Sequence, residues 1–136
     1  MTTGVMDKAQ KALASARLLL GAGDTDGATN RAYYAMFDAA IAALLWAGAD
    51  AGQSPPKTHS GLIASFGQNL VKAGKLPAEF GRSLNRVQEL RLTADYLAAP
   101  VSSDKAQWAI SEADSFVAAV AGLLLQPKPP ASSASG

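Results

Sequence analysis

The feature that most restricts what this chain can fold into is the run from residue 30 to residue 47. Tyr33, Met36, Phe37, Ala40, Ile41, Leu44 and Leu45 recur at three- and four-residue spacing. That spacing marks one wide buried stripe on an α-helix. Arg31, Tyr34 and Asp38, also three and four apart, form a polar seam on a second face of the same helix. A helix with a broad core stripe belongs deep in a bundle. Its seam is then either surface polarity or an internal polar contact or site.

The punctuation around this run predicts four more helices. The first covers about residues 4–21, with Thr2 or Thr3 as N-cap and an apolar stripe of Ala9, Leu13, Ala16 and Leu20. Gly21 and Gly23 end it, and Asp24 or Asp26 caps the second, which runs to about Ala47. Gly48 and the segment 52–56 break that helix. Thr58 opens a third, with Leu62, Ile63, Phe66, Leu70 and Val71 turned inward and an end near residues 72–74. Pro77 suits the first turn of a fourth helix, where no amide hydrogen is needed. Its inward stripe reads Phe80, Leu84, Val87, Arg91, Ala94. After Pro100, Ser102 or Ser103 caps a fifth helix to about Leu125, with Ala106, Ala109, Ala113, Phe116, Val120 and Leu123 as its buried face. No strand-like alternation occurs. The expected fold is all-α, an antiparallel bundle of four to five helices over residues 1–126, followed by a disordered Pro/Ser/Ala tail at 127–136.

Composition narrows the chemistry. The chain has 136 residues, 49% of them hydrophobic, and no cysteine. Disulfides, thiol nucleophiles and thiolate metal sites are therefore excluded. His59 is the single histidine, so a metal site would need carboxylates, and none forms the ExxH pair of a di-iron bundle. Phosphate-loop, HExxH and GxSxG motifs are absent. No cofactor or metal is expected. A net charge of +1 favours no class of partner. With no signal-like N-terminus and no uninterrupted apolar run near ~18 residues, a cytoplasmic protein without a membrane association is expected.

Arg91 is the most unusual residue, because it falls in phase with the core. A buried arginine must snorkel outward or find acceptors. Asp95, one turn on, and Asp38, on the second helix beside Tyr34, are the natural carboxylate partners. The structural reading is an Arg–Asp pair that fixes helix register. The functional one is an arginine lining a groove and holding phosphate with its planar fork of donors. Lys57 and His59 flank Thr58 at a helix start, an arrangement suited to an anion, although a capping-turn histidine is the plainer reading. Between Lys57 and Arg91, six basic residues face Glu79 and Glu89 alone. Arg82, Arg86, Glu89, Thr93 and Tyr96 share a helix face that suits either single-stranded RNA or plain solvation.

Five segments, in order, carry a family resemblance: NRAYYAMFDAA (30–40), KTHSG (57–61), FG (66–67), VKAGKL (71–76) and LRLTADY (90–96). Over residues 5–120 the chain resembles the small stand-alone HEPN-domain proteins. The resemblance implies a helical bundle, commonly a homodimer, paired with a nucleotidyltransferase or an antitoxin, with RNA or a nucleotide as ligand. Active members of that family carry an Arg, four to six residues, then a His, and cleave RNA without a metal. Here the arginine corresponds to Arg91, while the histidine region reads Asp95-Tyr96-Leu97. Tyrosine, with an ordinary pKa of ~10, is a poor base near neutrality. The resemblance thus implies a binding module with a degenerate nuclease motif. In it Arg91, Asp95 and Tyr96 stand at the former catalytic position, and Arg31, Tyr34, Asp38, Lys57 and His59 line the site. The alternative is a metal-independent endoribonuclease toxin that uses Arg91 with Tyr96 or His59.

Overall fold

The computed structural model describes residues 2–48 and 55–129. Five helices follow in chain order: α1 (Thr2–Gly21), α2 (Thr25–Ala47), α3 (His59–Phe66), α4 (Ala78–Leu97) and α5 (Ser103–Leu124). A π turn, Gly67–Val71, prolongs α3 directly. The expected all-α bundle is what forms. Helix α1 starts two residues earlier than its pattern suggests, so Thr2 and Thr3 lie inside it rather than before it. The segment 49–54 and the tail from 130 onward lie outside the described residues.

Local chemistry sets most of the helix ends. Asp24, not Asp26, caps α2, its carboxylate accepting from the Gly27 N–H at 2.9 Å. Thr58 accepts from the Gly61 N–H at 3.1 Å, and Ser102 from the Lys105 N–H at 3.2 Å. Each contact satisfies an amide that has no partner inside its helix. Gly48 closes α2 at φ 73°, a left-handed conformation that an L side chain resists. Ala98 closes α4 in the same region, at φ 56°, without glycine's freedom.

Helix α2 is the axle of the bundle, with α1, α5, α4 and α3 all packed on it. Ala28, Ala32, Ala35, Ala39, Ala42 and Ala43 are fully buried around its circumference, so neighbouring backbones come close. Larger side chains fill the gap between α3, α4 and α5. Phe66 stacks on Phe116 with ring centroids 5.6 Å apart, and Phe80 meets Phe116 edge-on at 5.9 Å. Leu62, Leu70, Leu84 and Val87 are fully buried beside them.

Two polar ties fix the bundle's ends. Freed from capping, the Asp26 carboxylate accepts from the Val101 N–H at 2.8 Å, which anchors the α4–α5 connection to the first turn of α2. The Trp46 indole donates to the Gln126 carbonyl at 3.1 Å, which ties the end of α2 to the end of α5. Arg17 and Asp114 make the one ion pair among the described residues. Both side chains are half exposed, so it adds little to stability.

Candidate anion-binding site

The seam of α2 and the inward arginine of α4 do meet, but not through a carboxylate. Arg91 is half-buried and its guanidinium lies over the Tyr33 ring, 4.8 Å from the centroid, and 5.7 Å from that of Tyr34. Its Nε donates to Gln88 Oε1 at 3.0 Å, and Nη1 donates a longer bond to Asn30 Oδ1 at 3.4 Å. The pairs expected with Asp38 or Asp95 do not form. Aromatic faces stabilise the cation through the ring quadrupole, and two neutral amides take two of its five N–H donors. Those contacts make a half-buried arginine tolerable without cancelling its charge. Three donors remain for something else.

Tyr33 is the platform beneath Arg91, and its own hydroxyl is held from below. The side chain is 2% exposed. Its hydroxyl lies 2.9 Å from His59 Nδ1, and His59 Nε2 lies 2.7 Å from Asn85 Oδ1. An amide oxygen can only accept, so Nε2 carries the imidazole proton and Nδ1 accepts from the tyrosine. The Asn85–His59–Tyr33 chain therefore clamps α4, α3 and α2 together. Burial pushes the Tyr33 phenol up to about 12, against a smaller opposing pull from Arg91, which keeps it a donor. Tyr34 and Phe37 meet Tyr33 edge-on at 5.7 and 6.0 Å.

The remaining expected residues fall into two groups. Arg31 lies 5.9 Å from the Tyr34 ring centroid, so Tyr34, 39% exposed, has two guanidiniums within 6 Å of its ring. Tyr96, at 88% exposure, Asp95 and Leu92 lie on the outer face of the last turns of α4. Asp38 is half-buried away from Arg91; burial raises its carboxyl above the usual range, and Lys8 and Arg31 only partly pull it back. Lys57 is exposed just before the α3 cap and has no hydrogen-bond or ion-pair contact among the described residues. No cluster of three His, Asp or Glu able to hold a metal occurs among the described residues. No described helix is long and apolar enough to cross a membrane.

Sequence reasoning misses Tyr33, Asn85, Gln88 and Asn30. Tyr33 counts toward the apolar stripe, and the three amides carry no charge to flag them. A tyrosine in core phase beside a basic seam is the one signal that points to the platform, since its hydroxyl has to be satisfied inside the core.

What the site can do is bind. A cation with three unused donors sits beside a partly exposed tyrosine that a second arginine also approaches. Comparison with known proteins agrees with a shared architecture. The HEPN domain model matches residues 3–123. The chain is 42% identical over 92 residues to a UPF0332 protein of Gloeobacter violaceus, covering 68% of this chain and 69% of that one. It is 33% identical over 113 residues to a protein of Methanocaldococcus jannaschii named "Putative toxin MJ0605", covering 83% and 81%. A UPF0332 protein of Thermotoga maritima is 39% identical over 89 residues, 65% and 64% of the two chains.

Proposed function

The chain belongs to the HEPN domain family, and on that premise we propose that it is the RNA-binding member of a cytoplasmic toxin–antitoxin pair, holding RNA through Arg91. The observation that carries this reading is the uncancelled charge of Arg91: its partners are Gln88, Asn30 and two tyrosine rings, none of them anionic. A phosphate would take its three remaining donors, with Arg31 adding to the field, while Tyr34 and Tyr96 offer π-faces to splayed bases. Asp95 and Asp38 would border the groove, and Lys57 would extend its positive reach. A homodimer formed through the outer face of α2 and α4 would set two such grooves side by side. A relative of this chain carries the name "Putative toxin MJ0605", which is why an inhibitory partner, an antitoxin or a nucleotidyltransferase, belongs to the reading.

Geometry favours binding over cleavage. Both ring nitrogens of His59 are already used, and the Tyr33 hydroxyl is buried. Either group would have to break an internal hydrogen bond before it could take the proton of a ribose hydroxyl. A second reading, the metal-independent endoribonuclease, draws on one contact pattern: Arg91 and His59 both touch Tyr33.

Fluorescence anisotropy with a labelled single-stranded RNA separates these cases. Arg91→Ala should weaken binding roughly tenfold and lower the dependence on log salt by about one. Wild-type affinity in a folded Arg91→Ala protein would remove Arg91 from the site. Displacement by a mononucleotide at equal affinity would make the ligand a nucleotide instead. Incubation of the same RNA in chelator tests the enzyme: cleavage lost in Arg91→Ala would establish it, and intact RNA at high protein concentration would dismiss it.

A further inference from the structure

Arg91 fixes which way its two amide neighbours face. An arginine only donates, so Gln88 and Asn30 each turn the amide oxygen toward it, Oε1 at 3.0 Å and Oδ1 at 3.4 Å. That orientation leaves each NH2 group for another partner. Among the described residues neither group meets an acceptor, whereas the amide of Asn69 donates to the Ser65 carbonyl and hydroxyl, both at 3.1 Å. Gln88 and Asn30 are only partly buried, so their free donors border the site and not the core.

The result is a site made almost wholly of donors. Arg91 keeps three N–H groups, two of them on Nη2, which makes no hydrogen bond among the described residues. Each amide adds two more N–H groups. They come from both walls of the site, Asn30 from α2 and Gln88 with Arg91 from α4. No carboxylate among the described residues forms an ion pair with Arg91. The Tyr33 ring, 4.8 Å below, closes one face of the guanidinium, so a ligand enters in its plane or from the open face.

Donors from two walls sort the anions an RNA strand can offer. A base edge has no charge to meet the guanidinium, and it brings donors as well as acceptors. An internal phosphodiester has two free oxygens, one charge and chain on both sides. A terminal phosphomonoester has three free oxygens, a charge of about −1.5 to −2 near neutral pH, and chain on one side only. It can meet Arg91, Gln88 and Asn30 together.

We propose that the site takes the phosphorylated end of an RNA strand, with Gln88 and Asn30 as the residues that select a terminal phosphomonoester over an internal phosphodiester. The base of the end nucleotide stacks on Tyr34, whose ring centroid is 5.7 Å from the Arg91 guanidinium and whose side chain is 39% exposed. This inference rests on the RNA-binding reading above and names the part of the RNA that Arg91 holds.

The test is anisotropy with one internally labelled RNA sequence in four forms: hydroxyl at both ends, 5′-phosphate, 3′-phosphate, and the favoured phosphate as its methyl ester. A terminal phosphate should strengthen binding by about tenfold over the hydroxyl form, and the end that gives the gain is the end the site takes. The methyl ester, with one charge and two free oxygens, should lose most of that gain. Gln88→Ala and Asn30→Ala should each lower the ratio of phosphate-ended to hydroxyl-ended affinity by about threefold or more. Lys11→Ala, which removes an exposed charge on α1, should leave the ratio unchanged. Circular dichroism melts check that each variant folds, and the methyl ester arm needs no variant. Full gain with the methyl ester, or an unchanged ratio in folded Gln88→Ala and Asn30→Ala, would overturn the selection. Equal, Arg91-dependent affinity for hydroxyl- and phosphate-ended strands would overturn end recognition and leave RNA binding intact. No binding of any form by the wild-type chain would overturn the RNA reading, and this inference with it.

Discussion

Replacing His59 with alanine tests the claim that a hydrogen-bonded chain holds the platform under Arg91. The change deletes two bonds, of 2.9 Å to Tyr33 and 2.7 Å to Asn85. Their consequences differ. Asn85 is exposed and water replaces its partner, so that loss is small. The Tyr33 hydroxyl is on a side chain 2% exposed, and an unsatisfied buried donor costs about 1–3 kcal/mol. In a Tyr33→Phe background there is no hydroxyl to strand, and His59→Ala should then cost only about 0.5–1.5 kcal/mol. The double-mutant cycle should therefore show a coupling of about 0.5–1.5 kcal/mol. Urea unfolding supplies each free energy from the midpoint and slope; in a melt, each kcal/mol corresponds to about 3–5 °C for a domain of this length. A cost for His59→Ala that is the same in the wild-type and Tyr33→Phe backgrounds would refute the hydrogen-bonded clamp.

Three more outcomes can be measured on the same material. Asp38→Asn should stabilise the protein at neutral pH, because burial raises this carboxyl and the ionised form is disfavoured in the folded state. The folded chain binds more protons than the unfolded one between 3.8, the ordinary value, and the raised one, so stability falls as pH rises through that window. The advantage of Asp38→Asn in urea midpoint should thus be present near pH 7 and gone below about 3.8. Tyr33 should contribute stability that is complete below pH 10 and lost as pH rises through about 12. Tyr33→Phe should lack that share of the alkaline loss in parallel unfolding curves at about pH 9 and about pH 11.5. Finally, Ala98→Gly should stabilise by about 0.5–1 kcal/mol, since Ala98 holds φ 56°; an unchanged or lower midpoint would contradict strain at the α4 terminus.

How much of this was legible in the sequence depends on the range of the interaction. Helix starts were readable because a cap acts within three residues: Asp24, Thr58 and Ser102 each reach an amide three positions on. Core faces were readable because helical periodicity sorts side chains by burial, as for Ala109, Ala113, Phe116, Val120 and Leu123. Arg91 was conspicuous for breaking that periodicity, but its partners were not. Charge reasoning looks for a carboxylate, whereas the fold supplies two tyrosine rings and two amides. Tyr33, His59 and Asn85 are each 26 positions from the next, and no local rule joins them. Asp26 shows the same limit, since a cap candidate that loses to Asp24 gains a partner at Val101 only once the bundle closes.

The alanines around α2 have a consequence for how this protein can change over generations. A methyl group pressed against a neighbouring backbone can be exchanged only for something larger, or for glycine at a cost in helix stability. Substitution at Ala28, Ala32, Ala35 or Ala39 therefore meets resistance in nearly every direction, and change falls more easily on exposed positions such as Leu18 and Tyr96. Asn30, Arg31, Tyr33 and Tyr34 ride on the same helix as those alanines. Their relative placement is inherited with the axle, so relatives can trade the outward-facing residues of α4 for new ligands and partners without having to reinvent the frame that presents them.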